Sequence, residues 1–242
     1  MSPTAKVFDP EEVSSTIINI MRSPTGYKYQ ITDLISVLAT ISPEQLSRIP
    51  EIVLDKPTLH DRSVLTALAM QYPQLRICTP YLAALENIDK VMEEISFRGL
   101  RKEGIFRLTF DLEGAARMTR EVVAGESIDV INSDPYDLAI VIKGFTKLAF
   151  PNFLKISDLE LFQTNGIITE YLETQNTHRR EYLSKLSALC RKVAEQEDKN
   201  KMNLHNLARV FAPNMFQDLD PMVEMRWINT TIAMVERIFR EA

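Results

Sequence analysis

The run Gly99-Leu100-Arg101-Lys102-Glu103-Gly104-Ile105-Phe106-Arg107 ends in the side chain best suited to meet a phosphate. A guanidinium is planar, permanently charged and forked to match two phosphate oxygens. Ile105 and Phe106 are apolar and are predicted to bury, giving Arg107 a fixed base from which to project. Gly104 permits backbone geometry that a residue with a Cβ resists. The bland alternative is an arginine that solvates a surface turn. Two later positions carry comparable weight. Lys143 interrupts the apolar run Ala139-Ile140-Val141-Ile142-Lys143-Gly144-Phe145, so its ammonium must snorkel to an edge or reach a partner. Asn214 follows Pro213, which predicts a helix that stops at Ala212. Its amide both donates and accepts, so it can cap, turn, or be offered to a partner. His60, His178 and His205 are isolated, with no second ligand or nucleophile at a recognisable spacing. No G-x-x-x-x-G-K-[ST] run is present, so the chain carries no phosphate-loop signature of its own.

The elements that must position these residues read as helices. With 7 glycines in 242 residues and apolar side chains at three-to-four spacing, helices are predicted nearly throughout. They fall at about 10–22, 28–41, 43–48, 60–73, 80–97, 112–123, 135–148, 157–174, 178–197, 203–211 and 221–240. Asp9-Pro10, Ser42-Pro43, Asp134-Pro135 and Asp220-Pro221 repeat a cap followed by proline at the first helical position. Gly99 is placed for a helix C-cap. Gly125, Pro151 and the polar run 195–201 mark loops. Short strands are conceivable only at Glu51–Leu54 and Ser127–Ile131. A soft boundary falls near Thr79-Pro80, separating residues 1–78, which hold no nameable chemistry, from 79–242.

The bulk charge narrows the function classes. A net charge of -5 provides no overall basic footprint for nucleic acid or an anionic membrane. Cys78 and Cys190 are far apart and form no C-x-x-C pair, which argues against a disulfide scaffold or a zinc site and for a reducing compartment. Cys190 shares a helical stripe with Leu183, Leu186 and Val193 and reads as a core thiol. The pairs Arg179-Arg180 and Arg191-Lys192 read as solvated charge. Trp227, with Met222, Met225 and Ile228, reads as core or helix contact. The start has no apolar leader and no run reaches the length of a membrane span, so a cytosolic protein or an excised cytosolic domain is expected.

Four blocks in order give residues from about 80 to 242 a resemblance to the Rho-family GTPase-activating (RhoGAP) domain. They are Glu94-Ile95 with Gly99 to Arg107; Asp134, Ala139, Lys143, Phe145 and Lys147; Arg180, Leu183, Leu186, Leu189 and Val193; and Lys201-Met202 with Asn206-Leu207-Ala208, Val210 and Phe211-Ala212-Pro213-Asn214. The resemblance implies an all-α fold: a single multi-helix RhoGAP-like domain with an N-terminal helical extension or small subdomain over 1–78. It implies an activator of a GTP-bound Rho-family GTPase rather than an enzyme in its own right. Arg107 would be an arginine finger supplied in trans. Lys143 would support the arginine loop and face the GTPase, and Asn214 would face its switch and nucleotide region. Asn206 would hydrogen-bond internally to the loop. Lys147 stands where the family commonly has arginine, and lysine lacks the bidentate fork. GTP and Mg²⁺ would belong to the partner, with no cofactor or metal held by this chain. The implied setting is the cytoplasm, with membrane recruitment through the GTPase and no direct insertion. Two further departures accompany Lys147. Phe110 occupies a usually small position, where it either reshapes the loop or packs on residues 1–78. Leu148–Asn152 replaces a Glu-Leu-Pro-x-Pro run. These departures motivate the rival reading, an adaptor of the same fold that docks a GTPase without accelerating it.

Overall fold

The computed structural model describes residues 8–54, 57–77, 81–151, 153–218 and 220–242. The expected boundary at Thr79-Pro80, together with Cys78 and Asn152, lies outside them. Four helices come first: α1 (Pro10–Met21), α2 (Tyr27–Leu38), α3 (Pro43–Leu46) and α4 (Leu59–Gln71). Then follow α5 (Tyr81–Glu94), α6 (Leu112–Val123), α7 (Pro135–Ala149), α8 (Ile156–Asn165) and α9 (Thr169–Thr174). The chain closes with α10 (Thr177–Ala194), α11 (Glu197–Asn200), α12 (Leu204–Met215) and α13 (Pro221–Glu241). The fold is all-α, as read from the spacing, and the described residues contain no strand beyond an isolated Ile52–Ile77 bridge. Ser127–Ile131 forms neither strand nor helix. All four cap-and-proline pairs start helices, because the side chains of Asp9, Ser42, Asp134 and Asp220 accept first-turn N–H groups that the helix cannot satisfy.

Several expected boundaries move. Gly99 does not cap α5; the helix widens into a π turn over Ile95–Gly99, and Leu100 stays right-handed. The helix expected over 157–174 breaks into α8 and α9, because Gly166 adopts φ +68° and closes α8 with its N–H on Phe162 O at 2.7 Å. The expected loop over 195–201 contains α11. Pro213 does not end α12 at Ala212: the helix runs on to Met215 with the proline inside its last turn. A proline there removes the N–H that would have bonded Arg209 O, while one residue on Asn214 Nδ2 donates to Val210 O at 3.0 Å.

The buried apolar side chains form two clusters. One draws on α1–α4 and their connections, from Ile17 to Leu75. The larger gathers residues from Met70 to Phe239 around α5, α7, α10, α12 and α13. Leu183, Leu186, Cys190 and Val193 enter the larger one together, and burial pushes the Cys190 thiol pKa up. Trp227 joins them, whereas Met222 and Met225 are exposed, so only part of that expected contact set is core. Polar bonds link the first four helices to the later part of the chain: Tyr27 Oη donates to Leu148 O, Lys28 to Asp218 O, and Asn176 Nδ2 to Met70 O at 2.8 Å.

Candidate functional site

The arginine loop connects the π turn to α6, and its shape follows from two left-handed residues. Gly104 has φ +70°, and Phe106, which carries a side chain, has φ +69°. A non-glycine residue in this region is strained and persists only where its surroundings overdetermine it. Here they do. Ile105 and Phe106 are fully buried, and the Phe106 ring lies 5.3 Å from that of Phe211 on α12, which in turn meets Phe239 at 5.5 Å. Gly104 N donates to Asn200 O at 2.7 Å, while Arg107 N and Leu108 N both return to Gly104 O at 2.8 and 2.9 Å. Arg107 is exposed, and its guanidinium meets no hydrogen-bond or ionic partner among the described residues. At rest it folds back over its own loop, with Nη2 3.5 Å from where a Cβ on Gly104 would sit.

Lys143 is half-buried on α7 and its Nζ donates to Phe106 O at 2.5 Å, one peptide unit before the arginine. Burial lowers its pKa from 10.5 to about 8. The lysine thus reaches the loop rather than snorkelling to bulk solvent. Lys147, one turn on and therefore on the same helical face, is exposed at the mouth of a cavity of about 460 Å³ that Tyr27, Leu148, Gln217 and Asp218 help to line. Asn214 is half-buried and spends its amide on Val210 O, while its own carbonyl accepts from Gln217 Nε2 at 3.5 Å. The loop shape and Phe106–Phe211 packing thus tie Arg107 and Lys143 to the helix bearing Asn214.

Asn206 does not bond to the arginine loop. Its Nδ2 donates to Lys201 O at 3.3 Å and its N–H to the Asn203 cap at 2.8 Å. The bond expected of it is made by Asn200, six residues earlier. That fully buried amide donates to Leu100 O and Val193 O, each at 2.7 Å, and accepts Met202 N at 2.7 Å. Together with the Gly104 bond to its carbonyl, Asn200 joins the base of the loop to the ends of α10 and α12. Nothing in its polar sequence surroundings marks it, beyond its place directly before Lys201-Met202. Asp137 is the second residue that sequence reasoning missed. Its Oδ1 accepts from Thr109 Oγ1 at 3.3 Å, Phe110 N at 3.3 Å and Asp111 N at 3.1 Å, pinning the segment after the finger to the first turn of α7. Phe110 meets Tyr136 and no aromatic ring of the described part of residues 1–78. It is 73% exposed and sits edge-on to Tyr136 at 4.9 Å, while Tyr136 Oη donates to Glu103 O at 2.9 Å. Chemically, the arrangement presents one unpaired guanidinium on a rigid base with a second cation beneath it. No group of histidine, cysteine, aspartate or glutamate suited to a metal occurs among the described residues.

The family model for the RhoGAP domain matches residues 86–220, more than half of the chain. The chain belongs to the RhoGAP family. Among curated relatives, Rho GTPase-activating protein 19 of Gallus gallus is 29% identical over 156 residues, covering 54% of this chain and 32% of that protein. Rho GTPase-activating protein 4 of Arabidopsis thaliana is 33% identical over 132 residues, covering 53% and 30%. The RhoGAP chain therefore spans about a third of the length of such relatives. In fold it is similar to human Rho GTPase activating protein 15, with a TM-score of 0.52 at 19% identity over 62% of this chain and 80% of that one. The BH domain from GRAF, the GTPase regulator associated with focal adhesion kinase, gives a TM-score of 0.51 at 15% identity, over 66% and 96%. The described RhoGAP residues include no helix long and apolar enough to cross a membrane.

Proposed function

We propose that this RhoGAP chain binds a Rho-family small GTPase in its GTP state and accelerates hydrolysis by inserting Arg107 into the partner's active site. The observation that carries the reading is the pairing of a free guanidinium with a loop that cannot easily move. Hydrolysis of bound GTP spreads negative charge over the γ-phosphoryl group and the leaving oxygen, and a positioned cation stabilises that charge more than it stabilises the ground state. Lys143 would hold the Phe106 carbonyl and thereby set where Arg107 begins. Lys147 and Asn214 would contribute to the partner's docking face, and Asn206 would stay structural. GTP and Mg²⁺ belong to the partner in this reading, which makes the chain an activator with no cofactor of its own. Residues 79–242 would form the GTPase-facing domain and 1–78 a helical unit packed against it, acting in the cytoplasm and at membranes where the GTPase resides.

Single-turnover GTP hydrolysis by a panel of Rho-family GTPases, with the wild-type chain and Arg107→Ala side by side, tests this. An arginine finger is worth about 10³–10⁵ in rate, or roughly 4–7 kcal/mol of transition-state stabilisation. The variant should lose an acceleration on that scale while still binding the GTPase. Equal rates with the two forms, or no acceleration by either, would sink the mechanism and leave an adaptor.

A further inference from the structure

Three large apolar side chains follow the arginine into solvent. Leu108, Phe110 and Leu112 are 42%, 73% and 65% exposed, directly after the exposed Arg107. Leaving such surface in water is unfavourable, and apolar side chains grouped on a surface mark an interaction site. The backbone beneath them is tied down. Asp137 Oδ1 accepts from Thr109 Oγ1, Phe110 N and Asp111 N at 3.3, 3.3 and 3.1 Å, and Asp111 in turn caps α6 through Gly114 N at 2.8 Å. Thr109 therefore spends its hydroxyl on α7, while Leu108 and Phe110 on either side of it stay exposed. The Phe110 ring stands edge-on to Tyr136 at 4.9 Å, and Tyr136 Oη donates to Glu103 O at 2.9 Å. That ring is thus braced against the loop that presents the arginine.

Leu108 Cγ lies 2.9 Å and Arg107 Nη2 3.5 Å from one point, the place a Cβ on Gly104 would take. The guanidinium and the leucine share one face of the loop, so a surface that meets the first also meets the second. An arginine in open water holds a phosphate weakly, because the high dielectric screens the pair; an apolar border that sheds water on docking strengthens it. We propose that Leu108, Phe110 and Leu112 form an apolar rim that docks on the GTPase beside its nucleotide site, with Phe110 the largest contributor. The inference rests on the GTPase reading above, and assigns affinity to side chains other than the arginine that sets the rate. It requires an apolar patch on the partner bordering that site. GTPases that carry polar side chains there should be poor partners, which makes the rim a determinant of partner choice.

The test titrates Rho-family GTPases, loaded with a non-hydrolysable GTP analogue, with the full chain and with Phe110→Ala, Phe110→Leu and Leu112→Ala. Single-turnover hydrolysis by the wild type runs alongside. Burying an aromatic ring contributes about ten- to a hundredfold in affinity. Phe110→Ala should weaken binding on that scale and Leu112→Ala by less, while Phe110→Leu should keep most of the wild-type affinity. Should thermal melts show that Phe110→Ala has lost its fold, Leu112→Ala, at the exposed start of α6, decides alone. Wild-type affinity in both alanine variants, with a wild type that binds and accelerates, would overturn the rim and leave the arginine finger standing. Binding without acceleration, weakened by Phe110→Ala, would support the rim and sink the finger. A wild type that binds no GTPase would overturn both. Sedimentation velocity of the chain alone adds one more outcome: a dimer that Phe110→Ala dissolves would assign the rim to a second copy and overturn the proposal.

Discussion

Adding one methyl group to the arginine loop, by Gly104→Ala, should cost both stability and rate. At φ +70° an alanine pays the left-handed penalty of about 1–2 kcal/mol. The new Cβ would lie 2.9 Å from Leu108 Cγ and Cδ1, too close to tolerate, but Leu108 is 42% exposed and can swing away. Backbone strain should therefore dominate over the clash. A domain of this size loses about 2–4 °C of melting temperature per kcal/mol, which sets an expected drop of about 2–8 °C. The loop can relieve the strain only by moving the peptide units that carry Arg107. A displacement near 1 Å costs about a hundredfold in a positioned catalytic step. Thermal melts and saturating single-turnover hydrolysis, on Gly104→Ala and on Gly104→Ala combined with Leu108→Ala, measure the two effects separately. The double variant should not recover, since removing Leu108 relieves the clash and leaves φ unchanged. An unaltered melting temperature would refute the strain argument. A lowered one with the saturating rate intact would show that the loop does not position Arg107.

Three further outcomes follow from the same geometry. Lys143 is charged below its pKa of about 8 and neutral above it, so kcat/KM, which reports the free protein's groups, should fall as pH rises through about 8. Lys143→Arg should remove that limb, and a limb that persists would assign it elsewhere. The stability effect has the opposite sign: the unfolded lysine keeps its proton up to 10.5, so the unfolded state binds more protons between about 8 and 10.5 and the fold gains stability as pH rises across that window. Comparing urea unfolding of the wild type and Lys143→Met across that range should show the rise only in the wild type. Asn200→Ala would orphan Leu100 O and Met202 N–H, each worth about 1–3 kcal/mol when buried unpaired, while Val193 O keeps the Gln196 N–H at 3.1 Å, so urea unfolding should reveal a loss of at least about 2 kcal/mol. A loss under about 1 kcal/mol would refute the role assigned to that amide.

Much of this protein was legible in its residues, because helix starts and apolar stripes are local. Asp9, Ser42, Asp134 and Asp220 announced their helices through side-chain oxygens within reach of N–H groups two or three residues on, which no distant contact needs to arrange. The Glu-Gly-Ile-Phe-Arg run announced a buried anchor and an exposed arginine for the same reason: an adjacent apolar pair flanked by charged residues is visible along the chain. What spacing could not supply was partnership across long separations. Asn200 and Asn206 are the same residue type six positions apart, and only the packing of α10, α11 and α12 against the loop decides which of them holds it. Arg179 and Arg180 are neighbours of identical chemistry, yet the helix turns one into the core against Phe153 and leaves the other outside. Local sequence determines which backbone shapes are affordable; the direction in which each polar side chain points, and so whether it solvates, supports or binds, is settled only when helices distant in the chain close around it.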